Sequence, residues 1–138
     1  MSKQLKPGLI LRRKYKTTEE HSAKFLGSGD IEVLSTPSMI LFMEETCRIL
    51  CDEKLPKELT TVGVRVDVKH LKAAPIGVDI DVICKLREVE GKKLIFEVEA
   101  YWGDLKIGEG IHERFIVNRE RFLSKLRDLL RLKTQLTS

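Results

Sequence analysis

No run of about 18 apolar residues, the length that a membrane-spanning helix requires, occurs in the sequence. Residues 1–16 carry one short apolar patch, Leu9-Ile10-Leu11, which Arg12 ends, and they lack a small-residue cleavage site. They do not read as a signal peptide, so a cytoplasmic location is expected. Cysteine is scarce. Cys47, Cys51 and Cys84 include no C-x-x-C pair, and an odd number cannot close a complete disulfide framework. No histidine follows Cys47 and Cys51 at zinc spacing, so they read as buried thiols of a reducing compartment, and neither a metal nor any other cofactor is expected. Aromatic residues make up only 6% of the chain, and the basic residues behind a net charge of +4 are interleaved with 21 acids. Nucleic acid requires a concentrated basic face with stacking rings, which is missing here. Neither nucleic acid nor a membrane is therefore an expected partner. Asn118, Gln4 and Gln135 are the only side-chain amides, against 33% charged residues, a balance common in proteins from hot environments.

What remains is enough for one domain over residues 1–138, with 42% hydrophobic residues to fill a core. Ser35-Thr36-Pro37 opens the clearest helix: Thr36 reads as the N-cap and Pro37 as the first helical residue. Met39, Ile40, Met43, Cys47, Leu50 and Cys51 follow a 3.6-residue period, and Leu55-Pro56 ends the helix, giving about 37–53. Alternation then marks strands. Val62, Val64, Val66 and Val68 form one, Val78 to Leu86 a second, Leu94 to Ala100 a third and residues 106–118 a fourth, in meander order. Residues 9–20 read as an earlier strand, and residues 119–133 as a basic amphipathic helix. One strand, a long helix and four antiparallel strands make an α+β domain, with the sheet wrapped around the helix.

Three polar residues stand out against this pattern. Glu44 falls within the apolar stripe of the helix, where a carboxylate is costly unless paired and where burial favours general-base chemistry. His70 continues the parity of the valines at 62 to 68 and should face the helix. An inward Glu and an inward His that share a pocket point to a functional site. Thr36, besides its capping role, places a hydroxyl among the free N–H groups of a helix N-terminus, donors suited to an oxyanion. His112 lies on a strand that does not alternate cleanly, so its orientation is left open; its expected role is structural or interfacial.

Three stretches carry a family resemblance in matching order: residues 35–47 around Thr36 and Glu44, Val68-Lys69-His70-Leu71-Lys72-Ala73-Ala74, and Gly108-Glu109-Gly110-Ile111-His112-Glu113-Arg114-Phe115. Over roughly residues 30–125 the chain resembles the fluoroacetyl-CoA thioesterase-like branch of the hotdog-fold thioesterases. The resemblance implies a homodimer with acyl-CoA bound at the subunit interface. It places the family's catalytic Thr, Glu and His on Thr36, Glu44 and His70, and a glycine close to the site on Gly63. Upstream of Thr36 the chain departs from the family. Where the fluoroacetate-specific member has a phenylalanine-bearing lid, it reads Phe25-Leu26-Gly27-Ser28-Gly29-Asp30-Ile31, so a fluoroacetyl preference is not carried over.

The expected function is hydrolysis of a CoA thioester of a small or medium acyl group. Thr36 and His70 would form a hydrogen-bonded pair, and Glu44 would be the base for water or the nucleophile. Lys69, Lys72 and Arg114 are the cations chosen for the phosphates of CoA. The alternatives are a non-catalytic acyl-CoA binding module, which would keep the pocket without the chemistry, and another hotdog reaction such as enoyl-thioester hydration.

Overall fold

The computed structural model describes residues 4–137. A first strand, β1 (Ile10–Lys16), is followed by a short helix, α1 (Ala23–Leu26), and the long helix α2 (Thr36–Lys54). Four strands come next, β2 (Leu59–His70), β3 (Asp79–Glu90), β4 (Lys93–Trp102) and β5 (Leu105–Asn118), and then the helix α3 (Arg119–Thr137). The strands form one antiparallel sheet in the order β1-β3-β4-β5-β2. The meander therefore holds only from β3 to β5. No tight hairpin turn joins β2 to β3; residues 71–78 carry the chain across the sheet, and β2 takes the far edge beside β5.

The inner face of the curved sheet is apolar by alternation. Ile80, Val82, Cys84 and Leu86 of β3 and Leu94, Phe96, Val98 and Ala100 of β4 are all buried. They pack on Met39, Met43, Cys47 and Leu50 of α2, so burial of one helix by one sheet forms the core. Tyr15 fixes α2 against β1: its ring stacks on Phe42 with centroids 4.5 Å apart, and its hydroxyl lies 2.9 Å from Thr46 Oγ1. The three thiols are buried as expected, Cys47 facing Cys84, and burial pushes Cys51 up to about 12.

Two departures from simple alternation matter for the site. In β2 the pairing with β5 shifts between Gly63 and Arg65, with Val64 as the extra residue of a bulge. Thr61 and Gly63 face inward before the bulge; Val66, Val68 and His70 face inward after it, and Val62 points the other way, not with them. In β5 the pairing with β4 shifts between Ala100 and Tyr101, so Ile107 and Gly108 are both buried and the alternation breaks.

Two glycines on β5 allow close packing, Gly108 beneath α2 and Gly110 beside β2. A Cβ on Gly108 would collide with the Met39 thioether; one on Gly110 would collide with the Asp67 carbonyl and lie 2.5 Å from Val68 Cα. The second obstacle is backbone, which cannot turn aside. Gly110→Ala should therefore cost about 3 kcal/mol or more and lower the melting temperature by about 10 °C for a chain of this size. Circular dichroism melts check this, and an unchanged midpoint would mean that the two strands separate without strain.

Candidate active site

The start of α2 organises the first cluster. Ser35, not Thr36, is the N-cap, its side chain accepting from the Ser38 N–H at 3.0 Å, so Thr36 is the first helical residue. Because Ser35 does the capping, the Thr36 hydroxyl is left available. It lies 2.8 Å from His70 Nδ1, at the end of β2. The other ring nitrogen, His70 Nε2, is buried without a hydrogen-bond partner among the described residues. Burial pushes the His70 pKa below the ordinary 6.5; the Lys72 main chain, close to the ring but short of a hydrogen bond to Nε2, offsets part of this. At neutral pH the ring is thus uncharged, with one nitrogen bound to a hydroxyl and the other waiting. An open cleft of about 340 Å³ reaches the pair, lined by Thr36, His70, Lys72 and Val33 among others.

A second cluster lies further along the same helix. Glu44 is half-buried at the margin of the α2 stripe and looks onto Gly63 of β2. A Cβ on Gly63 would sit 3.0 Å from Glu44 Oε2, 3.2 Å from His112 Cε1 and 3.4 Å from Arg114 Nη1. His112 and Arg114 are both buried and inward-facing, two residues apart on β5. Arg114 donates from Nε to Thr61 Oγ1 at 2.7 Å and from Nη2 to the Thr61 carbonyl at 3.0 Å.

The cations expected to act together are separated by this arrangement. Lys72 is exposed beside His70 in the cleft. Lys69 points to the outer face of the sheet, where it lines a broad trough with Glu97, Glu99 and Glu109. Arg114 is buried, its guanidinium held by Thr61 beside Gly63. The inner cluster of His112, Arg114 and Thr61 was not anticipated. Its signal is the i, i+2 spacing of His112 and Arg114, hidden by the irregularity at Ile107–Gly108.

Within one chain the two clusters do not meet. Thr36 and Glu44 are separated by about 12 Å of helix axis, and His70 and Gly63 by about 20 Å of strand. No group of His, Cys, Asp and Glu among the described residues could hold a metal ion.

A five-stranded antiparallel sheet around one long helix is the hotdog fold. Residues 17–120 match the family described as fluoroacetyl-CoA-specific thioesterase, and the chain belongs to that family. It is 37% identical to the fluoroacetyl-CoA thioesterase of Streptantibioticus cattleyicolor over 97 residues, 70% of this chain and 69% of that one. A solved variant of the fluoroacetyl-CoA-specific enzyme, in complex with fluoroacetate and CoA, superposes with a TM-score of 0.80 at 28% identity, covering 85% of this chain and 98% of that one. A thioesterase superfamily member from Thermus thermophilus superposes with a TM-score of 0.85 at 25% identity over 98% of both chains.

The lowered pKa values fix the sign of the acid response. Burial holds His70 and His112 below the unfolded value of about 6.5. The unfolded chain therefore takes up protons first, and the stability these two groups contribute is full above that pH and lost as pH falls through it. Melting temperatures measured from about pH 8 to about pH 5 should hold level and then decline below about pH 6.5. A midpoint that rises on acidification would contradict this account.

Proposed function

We propose that the protein hydrolyses acyl-CoA thioesters carrying a small or medium acyl group, as a homodimer in which each site draws on both subunits. The observation that carries this reading is the Thr36–His70 pair at the N-terminus of α2, with His70 Nε2 buried and unpartnered. A nitrogen in that state is suited to exchange a proton with the reacting group, and the helix N-terminus beside it favours the negative charge of a tetrahedral intermediate. Glu44 supplies the carboxylate, taking a proton from the attacking water or adding to the carbonyl carbon itself to form a mixed anhydride that water then hydrolyses. By either route the C–S bond breaks, the thiol of CoA leaves protonated, and the acid is released.

The separation of the two clusters supports the dimer. β2 is an edge strand, with Val64 and Val66 exposed along it, and such an edge needs a partner. Antiparallel pairing of two β2 strands centred on Asp67, with Val64 again the extra residue, would set His70 of one subunit opposite Gly63 of its partner. Thr36 and His70 of one chain would then face the partner's Glu44 across the seam. Lys72, exposed at the mouth of the cleft, would meet the phosphates of CoA, with Lys69 farther round the sheet. Gly63 leaves the room that Glu44 needs.

Complementation tests both the residues and the partition. His70→Ala and Glu44→Ala, each alone, should reduce kcat by about 10²-fold or more. Unfolded together in equal amounts and refolded, they should form mixed dimers in which one of the two sites holds an intact His70 and an intact Glu44. About a quarter of the parent's activity should return, since half the dimers are mixed. Single variants as active as the parent would refute the assigned roles. Inactive variants that give no activity when mixed, in dimers verified as mixed by native mass spectrometry, would mean that each site lies within one chain. A parent that binds CoA esters yet hydrolyses none would be a binding module.

A further inference from the structure

His112 is a fully buried titratable group that the proposed reaction leaves unused. Its Nε2 lies 3.0 Å from Arg114 Nη1, and its Nδ1 lies 2.8 Å from the Arg65 carbonyl oxygen. A guanidinium has only donors and keeps its charge, so Nε2 must be the acceptor in the first contact. The ring proton therefore sits on Nδ1 and is donated to Arg65. A second proton on Nε2 would face the Arg114 N–H head on, so the geometry admits one tautomer of the neutral ring.

This bond adds to the two that Arg114 makes with Thr61. Three of its five N–H groups are then engaged, one on each nitrogen, and one N–H remains on each terminal nitrogen. Nη1 and Glu44 Oε2 border the same small space, 3.4 Å and 3.0 Å from the position of the missing Gly63 side chain. The groups that hold the cation at that rim are neutral, and Glu44 is the carboxylate that borders the same space.

We propose that His112 is a positioning residue, which holds the Arg114 guanidinium at the Glu44 side of the site so that its remaining N–H groups meet the negative charge that builds during hydrolysis. The inference rests on the reading of Glu44 as the reacting carboxylate. It gives a buried histidine a purpose that core packing alone does not require, since an apolar side chain would fill the same volume without needing two polar partners. It also explains why the histidine and the arginine share one face of β5, each bonded to the other.

Two substitutions separate this role from a structural one. In His112→Gln the amide oxygen can take the place of Nε2 and still accept from Arg114, whereas in His112→Asn the amide N–H can take the place of Nδ1 and still donate to Arg65. If His112 works through Arg114, His112→Asn should lose about tenfold or more in kcat with KM for acyl-CoA little changed, and His112→Gln should stay close to the parent. The reverse order, or equal kcat for the two, would overturn the proposal and leave His112 as a clamp on the β2 bulge. A measurement on the parent protein stands apart from folding of the variants: ¹⁵N-edited NMR of the histidine rings should find His112 neutral with its proton on Nδ1. An Nε2–H ring or an imidazolium in an active parent would sink this inference alone, while a parent inactive on every acyl-CoA would sink the proposed function beneath it.

Discussion

The single extra residue in β2 is the constraint on which the rest of the site depends. With strict alternation from Thr61 and Gly63, the inward positions further along would be Arg65, Asp67 and Lys69, and His70 would point away from the helix. The bulge at Val64 resets the parity, so that Gly63 and His70 both look onto α2. Two inward polar sites on one strand are compatible only because the register slips between them. The bulge is in turn held by a side chain from the neighbouring strand, since the Arg65 carbonyl receives the His112 Nδ1–H. Strand irregularity and active-site geometry are thus one feature.

Much of this was legible from residue pattern. The helix expected at 37–53 is Thr36–Lys54, and the strands of alternating residues at 78–86 and 94–100 are the inner lining of the sheet. His70 does face the helix, although the run of valines that pointed to it is broken: Val62 lies on the other face. Thr36 was read as the cap, but Ser35 takes that role, a distinction that sequence could not make because both residues cap helices well. The order of strands was not legible either. Alternation fixes which residues share a face but says nothing about which edge a strand will take, and the inner orientation of Arg114 was obscured by a second irregularity in β5.

The polar clusters differ in how their costs are met. Arg114 is buried, but its bonds to Thr61 and His112 replace much of the hydration it gave up. His70 is only half-satisfied. A buried nitrogen without a partner costs about 1–3 kcal/mol, and the lowered pKa of the ring is the electrostatic expression of the same deficit. Arg114 therefore has each of its three nitrogens bonded within the chain, with two N–H groups to spare, whereas His70 Nε2 has no partner among the described residues.

That difference bears on why a fold of this kind supports catalysis as well as binding. A module that merely held a CoA ester could satisfy every buried polar group with its own atoms and gain stability from doing so. Here the unpartnered ring nitrogen sits beside a helix N-terminus whose free N–H groups are aligned before any ligand arrives, so the charge developing at a thioester carbonyl would meet dipoles that need not reorganise. Placing the Glu44 carboxylate two turns away along the helix keeps it out of reach of His70 in the isolated chain, where the two would otherwise pair and neutralise each other. Pairing of β2 edges would bring acid and base together across a seam, with substrate between them. The reactive groups would then be held apart by the rigidity of α2 and brought into register by the same interface that covers the exposed strand.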